Sequence, residues 1–152
     1  MAAVLLHLSD IHVRRSNDWI LDKAEEIGAC LFAYLPTASA VFIVVSGDIA
    51  WSGKKAEYDA AEMLFRNIER VIKAERDLPV HFVVSPGNHD CDFSLDSRAR
   101  QFVLQGIRNA PGEIDDSIID TACAVQIPSR AFAERLEFAD ETHVGDRLWV
   151  AH

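Results

Sequence analysis

Residues 41–50 read VFIVVSGDIA, an unbroken apolar run that leads into Gly47 and Asp48. The run from Val41 to Val45 is rich in β-branched residues and does not alternate with polar ones, which is typical of a strand buried on both faces. A residue without a Cβ suits a sharp turn, so Gly47 fits the point at which the chain leaves the strand. The segment therefore predicts a buried strand that presents an acidic side chain at its carboxyl end.

Two further apolar runs flank this segment. The first, from Val4 to Leu8, leads into the polar cluster SDIH at residues 9–12. The second, from Val80 to Val84, leads into SPGNHD at residues 85–90. Both runs have the length and composition of strands. The run from Val80 to Val84, like that from Val41 to Val45, is typical of a strand buried on both faces. We therefore expect parallel strands near residues 3–8, 41–46 and 80–85.

Amphipathic patterns separate the three expected strands. Apolar residues at spacings of three and four predict one helix from Ile20 to Leu35 and another from Tyr58 to Ile72. The order strand, helix, strand, helix, strand is that of βαβ units, which build a parallel sheet in a layered α/β domain. Weaker patterns follow residue 90, and they indicate helices over Leu95 to Ile107 and Ser129 to Phe138 and a strand over Arg147 to Ala151.

Length, charge and cysteine content narrow the class of protein. The chain has 152 residues, enough for one domain but not two. It carries 15 Lys and Arg against 24 Asp and Glu, a net charge of −9, which argues against a protein that grips long nucleic acid through its phosphates. The three cysteines lie far apart and form no CxxC pair, which suits a reducing compartment. We see no signal peptide and no apolar run of membrane-spanning length, so we expect a cytoplasmic protein without a membrane segment.

The polar clusters after the three strands carry the candidate chemistry. In an open α/β sheet, ligands bind outside the carboxyl ends of the strands. Two carboxylates, imidazoles and an amide oxygen suit Mn, Fe or Zn. Asp10, Asp48 or Asn88 taken alone is better explained as a turn former at a strand end, but the ordered set is not. The residues expected at this edge are Asp10, His12, Asp48, Asn88 and His89.

The ordered blocks Asp-x-His, Gly-Asp and Gly-Asn-His-Asp resemble the signature of calcineurin-like metallophosphoesterases. The blocks are separated by just under forty residues, which also fits that family, and the resemblance covers residues 4–90. The stretch GDIAWSGKKAEYDAA, residues 47–61, resembles the corresponding segment of bacterial cyclic-nucleotide phosphodiesterases. The resemblance implies the layered βαβαβ fold of metallophosphoesterases and a hydrolase that uses two divalent metal ions (Mn, Fe or Zn).

The resemblance also implies a set of metal ligands. Asp10 and His12 would bind the first metal, Asp48 would bridge both metals, and Asn88 would bind the second through its side-chain oxygen. Two such cations activate a water as hydroxide and hold the phosphate oxygens for in-line attack. The substrate would be a phosphodiester or phosphomonoester, with a small molecule or a nucleotide expected.

His89 and Asp90 are the catalytic residues that the resemblance implies. His89 would not bind metal but would face the substrate phosphate, where it would stabilise developing charge or protonate the leaving oxygen. Asp90 would not contact the metals but would orient the ring of His89.

The later part of that family supplies further ligands, a lone His and then a Gly-His-x-His block. This sequence contains no Gly-His-x-His block, and His152 is left out of the predicted site. We therefore interpret residues 1–152 as the N-terminal portion of a single calcineurin-like phosphoesterase domain. A longer chain or an assembly is expected to complete it.

Two other functions compete with a phosphoesterase of small substrates. One is a nuclease of the repair-exonuclease type, which shares the metal blocks but would favour a basic groove that is not visible here. The other is a non-catalytic sensor or truncated module, which the missing histidines favour and the three intact blocks oppose. The roles of two neighbouring segments stay open. Arg14 and Arg15 contact phosphate or lie in a solvated loop, and Trp51-Ser52-Gly53 shapes a substrate pocket or covers the sheet edge.

Overall fold

The computed structural model describes residues 2–109 and 114–137. In this part of the chain the sheet has three parallel strands in the order β1-β2-β3, so the central strand is the one that carries the VFIVV run. The predicted α/β class and the predicted parallel arrangement are confirmed. The strands are β1 (Ala2–Leu8), β2 (Ala38–Ser46) and β3 (Val80–Ser85).

One face of the sheet forms the core and the other does not. Leu6, Ile43 and Phe82 pair across the three strands and are buried, whereas Leu5 and Val83 on the opposite face are 63% and 39% exposed. The expectation that β3 is buried on both faces is therefore wrong for the described residues. The strand order explains it, because successive right-handed crossovers in one direction place their helices on the same side of the sheet.

The two crossover segments differ in regularity. The second forms the long helix α2 (Lys55–Glu75), which confirms the prediction. The first breaks into a 3₁₀ turn at Trp19–Lys23, the short helix α1 (Ala24–Ala29) and another 3₁₀ turn at Leu35–Thr37. Gly28 weakens helix propensity here, but it lets α1 approach α2 closely, since a Cβ at this position would lie 2.7 Å from Cγ1 of Val71.

Within residues 86–109 and 114–137, three α-helices follow the sheet. The predicted helical segments after residue 90 correspond to α3 (Arg98–Asn109) and α5 (Ile127–Glu137), while the intervening α4 (Asp116–Ala122) was not predicted. Helix α5 joins the core through Phe132, whose ring centroid lies 5.0 Å from that of Tyr58 on α2. The strand predicted at Arg147 to Ala151 lies outside the described residues. Among the described helices, none is both long and apolar enough to cross a membrane.

Candidate metal centre

Three loops leave the carboxyl ends of the strands and together form the candidate site. We call residues 9–14 the first loop, residues 47–54 the second loop and residues 86–92 the third loop. Because the strands are parallel and adjacent, all three loops emerge at the same edge of the sheet. The fold therefore brings the loops that carry the predicted site residues to one edge of the sheet.

The first and second loops stay paired beyond the sheet. The backbone N–H of His12 donates to the carbonyl of Asp48 at 2.9 Å, and that of Val13 donates to Ile49 at 2.8 Å. The N–H of Trp51 then donates back to the carbonyl of Val13 at 3.0 Å. The two loops therefore run side by side, which holds their side chains in a fixed relation.

Three of the candidate residues have left-handed backbone conformations. The φ angles are 55° for Asp10, 52° for His12 and 54° for Asp48. Such angles are uncommon for residues with a Cβ, and they concentrate at functional sites where the surrounding structure enforces them. Gly47, with a φ of 89°, makes the turn off β2 that its residue type predicts.

Gly87 serves the site through close approach rather than through its φ angle. A Cβ at this position would lie 2.5 Å from the backbone nitrogen of Asp48 and would overlap its carboxylate. The third loop can therefore pass against Asp48 only because residue 87 has no side chain.

His12, Asp48 and His89 bring their ligand atoms within 4.8 Å of one another. The rings of His12 and His89 meet edge to face, with centroids 4.6 Å apart. Nδ1 of His12 is buried and has no hydrogen-bond partner among the described residues. A buried imidazole nitrogen without a partner is unfavourable unless it coordinates an ion. The donor set therefore fits a divalent cation.

Asp10 and Asn88 do not belong to this cluster of three residues. Asp10 is exposed, its carboxylate accepts a hydrogen bond from the hydroxyl of Ser9, and it is not part of the described cluster. Asn88 is exposed in the third loop, next to His89 in sequence. Their roles as metal ligands stay predictions, as does the expectation that His89 is not a ligand.

The ring of His89 is oriented by a backbone carbonyl. Its Nδ1 lies 2.8 Å from the carbonyl oxygen of Trp51. Because a carbonyl only accepts hydrogen bonds, this contact places a proton on Nδ1. Nε2 is then the nitrogen left for a cation or a substrate.

Asp90 is completely buried and connects the second and third loops to α2. Its carboxylate accepts hydrogen bonds from the backbone N–H groups of Ile49 at 3.2 Å, Ala50 at 2.9 Å and Gly87 at 2.8 Å. The hydroxyl of Tyr58 donates a fourth at 3.0 Å. A buried carboxylate with four donors is well compensated for its lost hydration.

The expected contact between Asp90 and the ring of His89 is thus not the one that the structure shows. The ring is held by Trp51, and Asp90 acts on the loops that carry His89 and Asp48. The physical reason is that the turns after β2 and β3 leave buried backbone N–H groups that need hydrogen-bond acceptors inside the protein. The carboxylate of Asp90 accepts hydrogen bonds from these groups.

Tyr58 supports the site by donating a hydrogen bond to Asp90. The sequence pattern places it only on the apolar face of α2. It is fully buried, and burial together with the adjacent Asp90 carboxylate raises its pKa far above the ordinary value. The phenol therefore stays protonated and remains a hydrogen-bond donor. No sequence signal separates it from an ordinary core aromatic, because its partner lies 32 residues away.

The start of α2 fixes the end of the second loop. The buried carboxylate of Glu57 accepts from the backbone N–H and the hydroxyl of Ser52, at 2.9 and 2.8 Å, and from the N–H of Lys54 at 3.1 Å. Gly53 packs against the third loop, with a φ of 71° and no room for a Cβ beside the backbone of Cys91. The second loop is therefore anchored at both ends.

Comparison with known proteins identifies the family of this chain. No curated protein matches the sequence. The sequence profile of the calcineurin-like phosphoesterase family matches residues 3–134, which includes all three loops and most of α5. With this match over most of its length, the chain belongs to the calcineurin-like phosphoesterase family.

Proposed function

We propose that this protein is a metal-dependent hydrolase of small phosphate esters, phosphodiesters among them. The observation that carries the proposal is the convergence of His12, Asp48 and His89, with an unpartnered buried Nδ1 on His12. These donors follow three adjacent parallel strands in a chain of the phosphoesterase family. The three residues are half-buried, and the buried Nδ1 of His12 lacks a partner among the described residues, which supports a bound cation at this cluster.

In this proposal, Asp10 and His12 hold a first divalent ion, Asp48 is shared, and Asn88 serves a second ion. Bound cations of this type neutralise phosphate charge and activate water for attack on phosphorus. Carboxylate, imidazole and amide donors favour Mn, Fe or Zn over softer ions. Further ligands from a longer chain or an assembly remain part of the proposal.

The hydrogen bond between His89 and the carbonyl of Trp51 determines which ring nitrogen of His89 can act on the substrate. The carbonyl of Trp51 occupies Nδ1, so Nε2 is the atom available to the reacting phosphate. A protonated His89 donates its Nε2 proton to the leaving oxygen while Nδ1 keeps its bond to Trp51. This fixed ring orientation supports the role of general acid.

The substrate class follows from charge and local sequence. The chain is acidic, with a net charge of −9, which favours small substrates over long nucleic acid. Residues 47–61, similar to cyclic-nucleotide phosphodiesterases, favour a nucleotide. A cytoplasmic location agrees with the cysteine pattern and stays a prediction.

Metal analysis coupled to hydrolysis of bis-p-nitrophenyl phosphate tests this function. Because ligands from a longer chain or an assembly are part of the proposal, we expect the 152-residue chain to take up Mn²⁺ but to release p-nitrophenol only slowly, and we expect Asp48→Asn to lose both properties. His7→Gln is the matched control, because His7 lies on the open face of the sheet and contacts Ser46 instead of the cluster. Metal uptake without hydrolysis would point to a non-catalytic module, and absence of both would contradict the proposal.

A further inference from the structure

Arg14 and Trp51 form a pair at the side of the candidate metal centre. Cζ of Arg14 lies 3.8 Å from the centroid of the Trp51 ring. The same indole lies 5.5 Å from the ring of His12 and 5.3 Å from that of His89, centroid to centroid. The ring of Trp51 therefore contacts the guanidinium of Arg14 and also the two candidate imidazole ligands.

The paired loops hold Arg14 and Trp51 next to each other. Val13 and Ala50 form a parallel bridge, so the residues that follow them leave the bridge together. The backbone N–H of Arg14 donates to Oδ2 of Asp18 at 3.2 Å, which fixes the end of the first loop. The stacking of Arg14 on Trp51 is thus a consequence of backbone pairing and not of a chance surface contact.

The guanidinium of Arg14 is a cation without a carboxylate partner among the described residues, although the chain is acidic. Arg66 and Arg135 are ion-paired, whereas the guanidinium of Arg14 is held by an aromatic ring. A cation–π contact uses none of the N–H groups of a guanidinium, so they stay available as donors. Trp51 is 42% exposed, which leaves this pair open to a ligand.

We propose that Arg14, held against Trp51, binds a second phosphate group of the substrate beside the phosphate that lies at the metal centre. This inference rests on the proposed function. A planar guanidinium matches the oxygens of a phosphate with two parallel hydrogen bonds, which an ammonium does not. Its position one ring away from His12 and His89 suits a neighbouring phosphate and not the one that reacts. The substrate class is therefore a phosphate ester that carries a second phosphate, as in a nucleoside bisphosphate.

Calorimetric binding to the 152-residue chain in the presence of Mn²⁺ tests this inference without relying on turnover. The probes are thymidine 5′-monophosphate and thymidine 3′,5′-bisphosphate, which differ by one phosphate group. We expect the wild type to bind the bisphosphate about tenfold more tightly, the size expected of charge-assisted hydrogen bonds. We expect Arg14→Gln to remove this preference and to leave binding of the monophosphate within about twofold.

Arg15→Gln is the matched control, because it removes the same charge from the next residue of the same exposed turn. It should retain the preference for the bisphosphate, which separates a specific contact from general attraction. Trp51→Leu should weaken the preference as well, because the guanidinium loses the surface that orients it. Thermal melts of each variant confirm that it is folded.

Three results would overturn the inference: no preference in the wild type, an unchanged preference in Arg14→Gln, or equal losses in Arg14→Gln and Arg15→Gln. Failure of the proposed function is distinguishable, because it is measured as absent hydrolysis of bis-p-nitrophenyl phosphate. A chain that binds the bisphosphate through Arg14 but does not hydrolyse esters would keep this inference and reject catalysis.

Discussion

The carboxylate of Asp48 accepts a hydrogen bond from the backbone N–H of His89 at 3.0 Å. The two residues are 41 positions apart in the sequence, and both contribute to the candidate metal cluster. The bond engages Oδ1 of Asp48, so Oδ2 remains free to bind an ion, and Oδ1 keeps a second lone pair. This hydrogen bond therefore holds the second and third loops in a fixed relative position without a bound cation.

Replacing Gly87 by Ala should disturb this register. The added Cβ would overlap the Asp48 carboxylate, so the third loop must move away from Asp48. We expect a loss of about 1–3 kcal/mol in the free energy of unfolding, typical of overpacking, and a weaker affinity for Mn²⁺. Urea denaturation and calorimetric metal titration measure the two effects.

Gly106→Ala is the control for this substitution. Gly106 lies within α3, and a Cβ there would meet nothing within 4 Å. Alanine is the better helix former by about 0.5–1 kcal/mol, so this variant should be slightly more stable and should bind metal as the wild type does. If Gly87→Ala also bound Mn²⁺ with unchanged affinity, the close approach to Asp48 would be irrelevant to the site.

Asp90→Asn should be strongly destabilising. The substitution puts an amide N–H₂ among three backbone N–H donors and the Tyr58 hydroxyl, so at least one buried donor loses its acceptor. We expect a loss of about 3 kcal/mol. Chemical denaturation measures it, with the exposed Asp77→Asn as a control that should change stability by less than about 0.5 kcal/mol.

Tyr58→Phe tests the same network from its other side. Removing the hydroxyl deletes one donor to Asp90, and we expect a cost of about 1–2 kcal/mol. In a double-mutant cycle, the combined variant should be less destabilised than the sum of the single variants, because both remove the same contact. Simple additivity would show that Tyr58 and Asp90 are not coupled.

Asp92 should make stability depend on acid pH. Burial acts to raise its pKa, but hydrogen bonds from Lys54 at 2.5 Å and from Ser94 at 2.9 and 2.6 Å outweigh burial and lower the pKa below 3.8. A carboxyl with a lowered folded-state pKa stabilises the protein fully above its unfolded-state value, and this stabilisation is lost as the pH falls through the folded-state pKa.

The stability difference between wild type and Asp92→Asn should therefore be constant above about pH 5 and shrink as the pH falls below about 4. Denaturation curves at pH 6, 5, 4 and 3 measure this difference. Asp77→Asn again serves as the control. A difference that grows in acid would mean that Lys54 and Ser94 do not favour the charged form of Asp92.

Metal binding should stabilise the fold, because the cluster is assembled only in the native state. We expect saturating Mn²⁺ to raise the melting temperature of the wild type and EDTA to reverse the increase. His12→Ala should abolish the metal-induced shift, since it removes the unpartnered buried nitrogen. His7→Gln should retain it, and an equal shift in the His12 variant would place the cation elsewhere.

The strands and the positions of the site loops could be predicted from the sequence. The runs at Val41 and Val80 and the Gly-Asp turn carry local signals: β-branched residues favour extended backbone, and a glycine permits the turn that follows. The first crossover was predicted less well. Its apolar spacing is helical from Ile20 to Leu35, but the chain folds it as short turns around α1, because packing against α2 overrides spacing.

The open face of the sheet could not be predicted from strand composition. The run at Val80 to Val84 reads as fully buried, yet Val83 is 39% exposed. Burial is a property of what packs on a strand, and the strand order places the crossover helices on one side only. The apolar character of the run specifies a strand without specifying what covers each face.

By itself, the sequence determined the α/β class, the three parallel strands and the loops that carry His12, Asp48 and His89. Only the tertiary structure decided which donors converge, that Trp51 and not Asp90 holds the ring of His89, and that Arg14 stacks on Trp51. The physical reason is the separation in sequence over which each kind of interaction acts. Strand and turn signals act between neighbours in the chain, whereas these contacts join residues about forty positions apart through strand register and loop-to-loop hydrogen bonds.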